Sequence, residues 1–351
     1  MVRHLAAGFL LITLVLPLLA PTDRGRPTAE PLPIAGGIFG VNQDLEWDPP
    51  DQVAAEIRLM RSAGVQWLRL PLRWRWVEPE PGLYRWDRVD SVVDRAAGSG
   101  LKLLAVLGGT PAWSSGVTVR SVAPGVHWDA FAPASDSEFA DYVSRVVQHF
   151  RGRVQAYELF NEPNSPNHWQ PAPNAARFVE LLCAGYRAAK HADAGSVIVA
   201  GGLNGNGLSQ GPEGSQNFLE TIYAGEGAGC FDVLAIHPFA HPIEQGLAEL
   251  QAWVDETRRY MRTRRDHREL WLTEVGWSSG LRQWGHSAIS EEEQAEWVTT
   301  VYHDLKGAQK VFWYNFKEVR RNPSDPEFQW GWLRFDLAPK AAYWSFVEAT
   351  R

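Results

Sequence analysis

Two apolar runs decide the fold of this chain: YELFNEP at residues 157–163 and LWLTEVGW at residues 270–277. Each run is rich in residues that favour β-strands, and each delivers a glutamate, Glu162 or Glu274, next to a break that contains proline or glycine. If both runs are parallel strands of one closed barrel, both carboxyl groups arrive at the same open end. Two facing carboxylic acids are the minimal chemistry for hydrolysis of a glycosidic bond.

Strand and helix signals alternate eight times along residues 35–351. Each predicted strand is a short apolar run, and a stretch with helical spacing follows it. This alternation predicts a parallel sheet, and eight units predict a single (β/α)8 TIM barrel of the α/β class. The predicted strands are residues 37–41, 65–70, 101–107, 154–160, 197–201, 231–236, 269–273 and 311–314, and the predicted helices are residues 50–62, 89–97, 137–150, 175–191, 216–224, 243–263, 290–305 and 339–349.

The connections that follow strands are long, for example residues 108–136, 276–289 and 316–338, whereas those that precede strands are short. This asymmetry predicts elaborated loops and a cleft at the carboxyl-end face, where barrel active sites lie. Glu162 ends the fourth strand and Glu274 the seventh, so their carboxyl groups can meet across the mouth. Their separation, roughly 5–5.5 Å in retaining and roughly 6.5–9.5 Å in inverting hydrolases, cannot be measured from the sequence.

The surroundings of the two glutamates predict different roles. Glu162 stands near apolar Phe160, which predicts a raised pKa and a general acid. A nucleophile needs polar donors instead, and Arg69 and His237, at the ends of the second and sixth strands, are positioned to supply them to Glu274. His237 also has a plainer interpretation as a strand cap.

Glu158 shares strand parity with Glu162, so we predict that it points into the barrel and pairs with an arginine as a structural residue. Arg69 is a candidate for that pairing as much as for a substrate contact. Most of the 17 Trp residues are expected to fill the space between helices and barrel. A flat indole face matches the C–H face of a sugar ring, so Trp residues in or next to carboxyl-end segments are equally candidates for sugar platforms. These are Trp113, Trp169, Trp277 and Trp313.

The N-terminus and the cysteines bear on location. Residues 1–20 start with a charge at Arg3 and continue as an uncharged apolar run, which predicts a signal peptide or an uncleaved membrane anchor. Residues 21–34 are a proline-rich linker. Either interpretation places the domain outside the cytoplasm. Cys183 and Cys230 are expected to be buried small hydrophobes rather than a bridge, although an oxidising compartment permits one.

Composition and motifs exclude several classes of partner. The formal charge of −7 and the lack of a Lys/Arg run argue against nucleic acid. His237 and His241 have the spacing of metal ligands on a helix, but Pro238 and Pro242 forbid a helix there, so no metal is expected. No dinucleotide fingerprint, P-loop or nucleophile elbow is present, and no cofactor is expected.

Several motifs together carry a resemblance to a known group of enzymes. They are WLR at 67–69 with Trp74, GTPAW at 109–113, YELFNEPN at 157–164, HP at 237–238, TEVGW at 273–277 and PKAAY at 339–343. Over roughly residues 35–350 the chain resembles clan A glycoside hydrolases. It is closest in pattern to family 39, the β-xylosidase-like and exopolysaccharide-degrading branch, and more distant from family 5 cellulases.

The resemblance implies roles by position. Glu162 resembles the acid/base of the clan and Glu274 its nucleophile. Asn161 resembles the residue that bonds the sugar 2-hydroxyl, and Trp313 resembles the aromatic floor from the eighth strand. The clan works with retention of configuration, which the resemblance therefore implies here.

Two departures from the pattern matter. Phe239 stands where many relatives carry a Tyr whose hydroxyl touches the nucleophile, so His237 or another group such as Tyr314 must replace it. Family 5 members usually place a His after the third strand, and none stands at residues 108–115. That absence favours the family 39 pattern.

We therefore expect a secreted retaining β-glycosidase that cleaves O-glycosidic bonds of a poly- or oligosaccharide by double displacement. The candidate catalytic residues are Glu162 and Glu274. The candidate substrate-binding residues are Asn161, Arg69, His237, Trp313, Trp113 and Trp277. The alternative is a carbohydrate-binding or cell-wall barrel that lacks turnover, which Phe239 favours. The sequence leaves open the sugar, the linkage, and whether cleavage is internal or at a chain end.

Overall fold

The computed structural model describes residues 38–205, 218–239, 246–280, 289–319 and 328–350. The predicted export segment, the predicted linker and His241 lie outside these residues. Within the described part of the chain, no helix combines the length and apolar character needed to cross a membrane.

Eight parallel strands close into one barrel in chain order, with β1 paired to β8. This confirms the predicted single (β/α)8 barrel. The strands are β1 Ile38–Asn42, β2 Trp67–Arg73, β3 Lys102–Gly108, β4 Ala156–Leu159, β5 Val197–Asn204, β6 Val233–His237, β7 Glu269–Val275 and β8 Lys310–Trp313.

Helices surround the barrel at the predicted places. Several begin at polar caps that the sequence supplies: Ser135 and Asn174 accept hydrogen bonds from the first turns of α5 and α6, and Ser290 forms a capping box at α9. The short α2 and α4, which lie in the loops after β2 and β3, are additional. The helices are α1 Pro50–Ala63, α2 Trp74–Val77, α3 Asp87–Gly98, α4 Ala112–Ser115, α5 Asp136–His149, α6 Ala175–Ala192, α7 Phe218–Ala224, α8 Gly246–Thr263, α9 Glu291–Asp304 and α10 Ala341–Ala349.

The lower part of the barrel interior is an apolar core. The rings of Trp67, Trp271 and Phe312, from β2, β7 and β8, lie 5.5–6.3 Å apart between centroids. Strands β2 and β7 are not neighbours, so this contact passes through the barrel centre. Gly40 leaves room for it, because a Cβ there would lie 2.4 Å from the Phe312 ring. This core is the floor on which the polar residues of the mouth rest.

Two strands have register shifts near their carboxyl ends, β5 between Ala200 and Leu203 and β7 between Leu272 and Val275. In a regular strand, Glu274 would face away from the barrel, because Trp271 and Thr273 face inward. A bulge redirects the side chains beyond it, as is common next to active sites. The irregularity in β7 therefore accounts for the placement of Glu274 at the mouth.

Cys183 and Cys230 form a disulfide with their Cα atoms 4.8 Å apart. The expectation of two separate buried thiols was wrong. Cys183 lies on the buried face of α6, and Cys230 ends the 3-10 turn Glu226–Gly229 that packs against this helix. Their proximity results from the docking of two elements that are distant in sequence, which no local pattern reveals.

Candidate active site

A polar layer lies directly above the apolar floor, with one inward side chain from each of five strands. Arg69 is at its centre. The Arg69 guanidinium donates to the Glu158 carboxylate through Nε at 2.8 Å and Nη2 at 3.1 Å, and to Asn42 Oδ1 through Nη1 at 2.8 Å. Such a fork satisfies most donors of a buried guanidinium. The layer consists of Asn42, Arg69, Glu158, His237 and Thr273.

Glu158 is wholly buried, and its ion pair with Arg69 confirms the predicted pairing with an arginine. It also accepts hydrogen bonds from the backbone N–H of Gly202 at 2.7 Å and from Thr273 Oγ1 at 3.3 Å. Burial alone would lower the pKa of Arg69, but the charges of Glu158 and Glu274 outweigh it and raise that pKa. Arg69 is thus a permanent positive charge at the base of the site.

Glu274 is held by Arg69, whose Nη1 donates to Glu274 Oε1 at 2.5 Å. This confirms that Arg69 supplies a donor to Glu274, and the residue serves both carboxylates at once. Arg69 Nη2 also donates to Asn161 Oδ1 at 2.7 Å, which leaves the Asn161 amide N–H groups for other partners. Glu274 is 8% exposed, so most of its carboxylate is shielded from bulk water.

Glu162 lies in a tight backbone turn beyond β4. Phe160 and Glu162 both have positive φ, at 65° and 44°, and the Glu162 N–H donates to the Gly202 carbonyl at 3.0 Å. Positive φ at two non-glycine residues is uncommon and is often found at functional sites. The turn directs the Glu162 carboxylate between two imidazoles, with His237 Nδ1 at 2.9 Å from Oε1 and His168 Nδ1 at 3.0 Å from Oε2.

The predicted raised pKa of Glu162 was wrong. Burial raises it, but the hydrogen bonds and positive charges of His168 and His237 outweigh burial, so the pKa of Glu162 lies well below its ordinary value. Phe160, the apolar residue on which the prediction rested, packs elsewhere. The Phe160 ring stacks on Phe139 at 4.7 Å, in the core between barrel and helices.

His237 was predicted to hold Glu274, and this was wrong. Its Nδ1 is 3.8 Å from Glu274 Oε2, beyond hydrogen-bond distance, and bonds Glu162 instead. Its Nε2 lies 2.9 Å from Thr273 Oγ1, which orients the ring. The ring occupies space that only glycine leaves at position 202, because a Cβ there would lie 2.0 Å from His237 Nε2. His237 is therefore an inner residue of the site and not only a strand cap.

The three side chains Glu162, His237 and Glu274 each place one potential ligand atom within 4.8 Å of the others. Among the described residues, this is a group with the geometry to hold a metal ion. Its atoms already have partners, since His237 bonds Glu162 and the Arg69 guanidinium bonds Glu274.

Two of the candidate sugar platforms are core residues. Trp277 and Trp313 are both fully buried. Trp277 stacks on Trp297 and Trp313 packs against Trp332, so neither presents a face to the mouth. The aromatic floor expected from Trp313 was therefore wrong. Phe312 points into the barrel, so strand parity turns Trp313 outward toward the helices.

The other two candidates differ in exposure. Trp169 is buried and packs against the Phe160 ring. Trp113 is half-buried, donates from Nε1 to the Glu78 carbonyl at 3.2 Å and meets Trp74 edge to face. Trp113 thus remains at the rim, in the loop after β3.

The mouth has an aromatic wall that the motifs did not predict as one unit. Tyr314, the residue after Trp313, lies 6.2 Å from the Phe239 ring and 5.8 Å from the Trp330 ring, and all three are partly exposed. Parity accounts for this, because Tyr314 follows the outward Trp313. Phe239 carries no hydroxyl, and Arg69 already supplies the donor to Glu274.

His168 was also missed. It lies six residues after Glu162, in a turn where its N–H donates to the Ser165 carbonyl at 3.0 Å. Burial lowers the pKa of His168, but the adjacent Glu162 carboxylate outweighs this effect and raises it. The sequence signal was a histidine shortly after a strand-terminal glutamate, which is too common to single out.

The sequence matches a family profile described as the glycosyl hydrolase catalytic core over residues 133–328, more than half of the chain. The chain belongs to this family. A second match, to a beta-galactosidase family, covers residues 45–116. The chain therefore belongs to a glycoside hydrolase family, which confirms the relationship that the motifs predicted.

One curated relative of this glycosyl hydrolase is Beta-galactosidase BbgII of Bifidobacterium bifidum, 27% identical over 181 residues. The match covers 46% of this chain and 26% of that protein, so the chain spans about a quarter of the relative's length. This likeness concerns one part of a much longer protein.

Several solved structures share the fold. A family 39 glycoside hydrolase from Bacteroides cellulosilyticus WH2 has a TM-score of 0.68 at 23% identity, over 91% of this chain and 63% of that chain. A monomeric beta-xylosidase from Caulobacter crescentus CB15 has a TM-score of 0.66 at 17% identity, over 91% and 68%. A family 5, subfamily 18 protein from Streptomyces cattleya, in complex with GlcNAc, has a TM-score of 0.67 at 18% identity, over 90% and 80%.

Proposed function

We propose that this protein is a secreted, retaining β-glycosidase in which Glu162 is the acid/base and Glu274 the nucleophile. The observation that carries the proposal is the placement of one oxygen of each carboxylate within 4.8 Å of the other, from opposite sides of the barrel mouth. This spacing is nearer to the roughly 5–5.5 Å between the carboxyl groups of retaining enzymes than to the roughly 6.5–9.5 Å of inverting ones, which supports retention.

In the first step, a Glu274 oxygen attacks the anomeric carbon while Glu162 gives its proton to the leaving glycosidic oxygen. The C–O bond to the leaving group breaks, and a glycosyl ester forms on Glu274. In the second step, the Glu162 carboxylate takes a proton from water. The water oxygen attacks the anomeric carbon, the ester bond breaks and Glu274 is released as a carboxylate.

The hydrogen bonds at the mouth support this division of roles. Arg69 supplies a charge that neither gives nor takes a proton, which suits a nucleophile. His168 and His237 contact the two oxygens of Glu162, and an imidazole can accept or donate a proton. A Glu162–His168 pair can hold one proton between turnovers, which the carboxyl group gives to the leaving oxygen in the first step and regains from water in the second. We assign Asn161, whose Oδ1 is fixed by Arg69, to a sugar hydroxyl.

The disulfide supports the proposed export, because such bridges persist mainly outside the reducing cytoplasm. Residues 1–20 have the pattern of an export signal, cleaved or retained as an anchor.

The non-catalytic alternative depended on Phe239. The Arg69–Glu274 bond weakens it, since the nucleophile has a donor without a Tyr hydroxyl.

The test is a panel of β-linked polysaccharides and aryl β-glycosides, with β-xylosides and β-galactosides included because of the relatives' names. Wild type, Glu162→Gln and Glu274→Gln are compared for turnover and for binding. We expect turnover only in wild type, binding in all three, and a first product with retained configuration by NMR. Turnover in either variant comparable to wild type would refute the assignment, and no turnover by wild type on any substrate would favour the non-catalytic barrel.

A further inference from the structure

Three indoles lie on the carboxyl-end face, outside the catalytic layer. Trp47 follows β1, Trp76 lies on α2 after β2, and Trp128 lies in the loop after β3. Trp47 is 60% exposed, and the other two are partly buried. A single exposed tryptophan is ordinary on a protein surface, whereas indoles held side by side on one face are candidates for a ligand contact.

Trp47 and Trp76, which we call the indole platform, are fixed in orientation. Trp47 Nε1 donates to Asp44 Oδ2 at 3.0 Å, and its ring meets the Trp76 ring edge to face at 4.3 Å. The Arg88 guanidinium lies 4.8 Å from the Trp76 ring centroid and 6.0 Å from that of Trp47. A surface indole held in this way loses little conformational freedom when a ligand binds.

Further along the face, the Arg75 guanidinium lies 5.4 Å from the Trp76 ring and 5.5 Å from the Trp128 ring. Indole and guanidinium planes thus alternate across three consecutive loops. Alternation of flat apolar faces and hydrogen-bond donors suits a chain of sugar rings, each with an apolar C–H face and a rim of hydroxyls.

The platform is connected to the catalytic layer through β2. Arg73 lies four residues after Arg69 on the same side of this strand, a distance of about 13 Å. Arg73 Nη2 pairs with Asp44 at 2.6 Å, and Asp44 in turn holds Trp47. The platform therefore lies on the same face as the catalytic carboxylates, beyond the carboxyl end of the strand that carries Arg69.

We propose that Trp47 and Trp76 form a distal subsite that binds a sugar ring of a β-linked polysaccharide chain while another ring of that chain occupies the site between Glu162 and Glu274. The inference rests on the proposed function and deepens it, because it names a polymer as the substrate. A short glycoside fills only the catalytic position and leaves the platform empty.

The test compares Trp47→Ala with Trp344→Ala, a matched control. Trp344 is 55% exposed, on α10 at the outer surface of the barrel. Both indoles are exposed enough for removal to leave folding intact. Trp47→Phe retains an aromatic face but loses the bond to Asp44.

Two readouts are kcat/KM on the polysaccharide that wild type cleaves fastest and kcat/KM on an aryl glycoside of the same sugar. The third is the retardation of each protein in gels that contain this polysaccharide, for which the Glu274→Gln variant is also measured. For Trp47→Ala we expect a loss of roughly five- to tenfold on the polymer, unchanged activity on the aryl glycoside and weaker retardation. Trp47→Phe is expected to fall between wild type and Trp47→Ala, and Trp344→Ala to match wild type.

Equal polymer activity of Trp47→Ala and Trp344→Ala would overturn the subsite, as would a wild type that cleaves aryl glycosides but no polymer. Either result leaves the glycosidase assignment intact. If wild type cleaves nothing, the proposed function fails. The platform is then judged by retardation in the panel of polysaccharide gels: retardation that depends on Trp47 supports it, and the lack of such dependence overturns it.

Discussion

Glu162 and Glu274 are almost equally buried, at 6% and 8% exposure, yet their partners are opposite in kind. Glu274 is bound by a guanidinium, whose charge is permanent. Glu162 is bound by two imidazoles, a type of side chain that has both a neutral and a protonated form. Burial therefore does not separate the proposed nucleophile from the proposed acid/base, whereas the kind of partner does.

The largest effect should come from removal of the Glu274 carboxylate. For Glu274→Ala we expect a loss of about 10⁵-fold in kcat, because no covalent intermediate can form. Azide should enter the vacated space and restore turnover, giving a glycosyl azide of inverted configuration detectable by NMR. If Glu274 were instead the acid/base and Glu162 the nucleophile, azide would give a product of retained configuration.

Glu162→Ala should cost about 10²–10⁴-fold, and the cost should depend on the leaving group. Glycosides with poorly basic leaving groups need no proton in the first step, so their formation of the intermediate should be nearly normal. Pre-steady-state bursts on a dinitrophenyl and an alkyl glycoside measure this difference. An equal loss on both substrates would show that Glu162 does not donate the proton.

Arg69→Met should reduce the free energy of unfolding by about 3–5 kcal/mol, because it leaves the wholly buried Glu158 without its ion-pair partner. Denaturant unfolding measures the change. The double variant Arg69→Met, Glu158→Gln should recover part of it, since the uncompensated charge is gone. If the double variant loses as much free energy of unfolding, relative to wild type, as the two single variants lose together, the two residues are not coupled.

The smallest effect should come from His168→Asn, with a loss of about tenfold at neutral pH. Glu162 raises the pKa of His168, so the pair keeps its shared proton until the pH rises through that raised value. Without the imidazole, the proton rests on Glu162 alone and leaves at lower pH. The alkaline limb of kcat/KM should therefore move to lower pH.

The charged and titratable groups that face the Glu162–His168 pair are His237, Arg69 and Glu274, all unchanged in this variant. His191→Asn, at an exposed position near the end of α6, is the matched control and should leave the profile unchanged. An alkaline limb that stays in place in His168→Asn would remove His168 from the acid/base assignment.

Most of the fold was predictable because its signals are local. Apolar runs, helix caps and chain breaks repeat in the order of a (β/α)8 barrel, and the carboxyl ends of parallel strands share one face. The strands that carry Glu162 and Glu274, and the face at which those strands end, followed from this topology, whereas the bulge in β7 directs Glu274 to the mouth. The Arg69–Glu158 pair was anticipated because strand parity is also local.

The errors arose where neighbours in sequence were taken as neighbours in space. Strand parity turns the buried Trp313 outward and leaves the next residue, Tyr314, partly exposed at the mouth. Phe160 is near Glu162 in the chain, but positive φ values turn the two side chains to opposite sides.

The sequence by itself determined the barrel, the strands that carry the two glutamates and the face on which they meet, because periodicity and chain order dictate these. Only the tertiary structure decided which partner each carboxylate has, the pairing of Cys183 with Cys230 and the arrangement of Trp47 beside Trp76. These contacts join residues from separate elements. Their distances depend on bulges, turns and helix docking that no single stretch of sequence encodes.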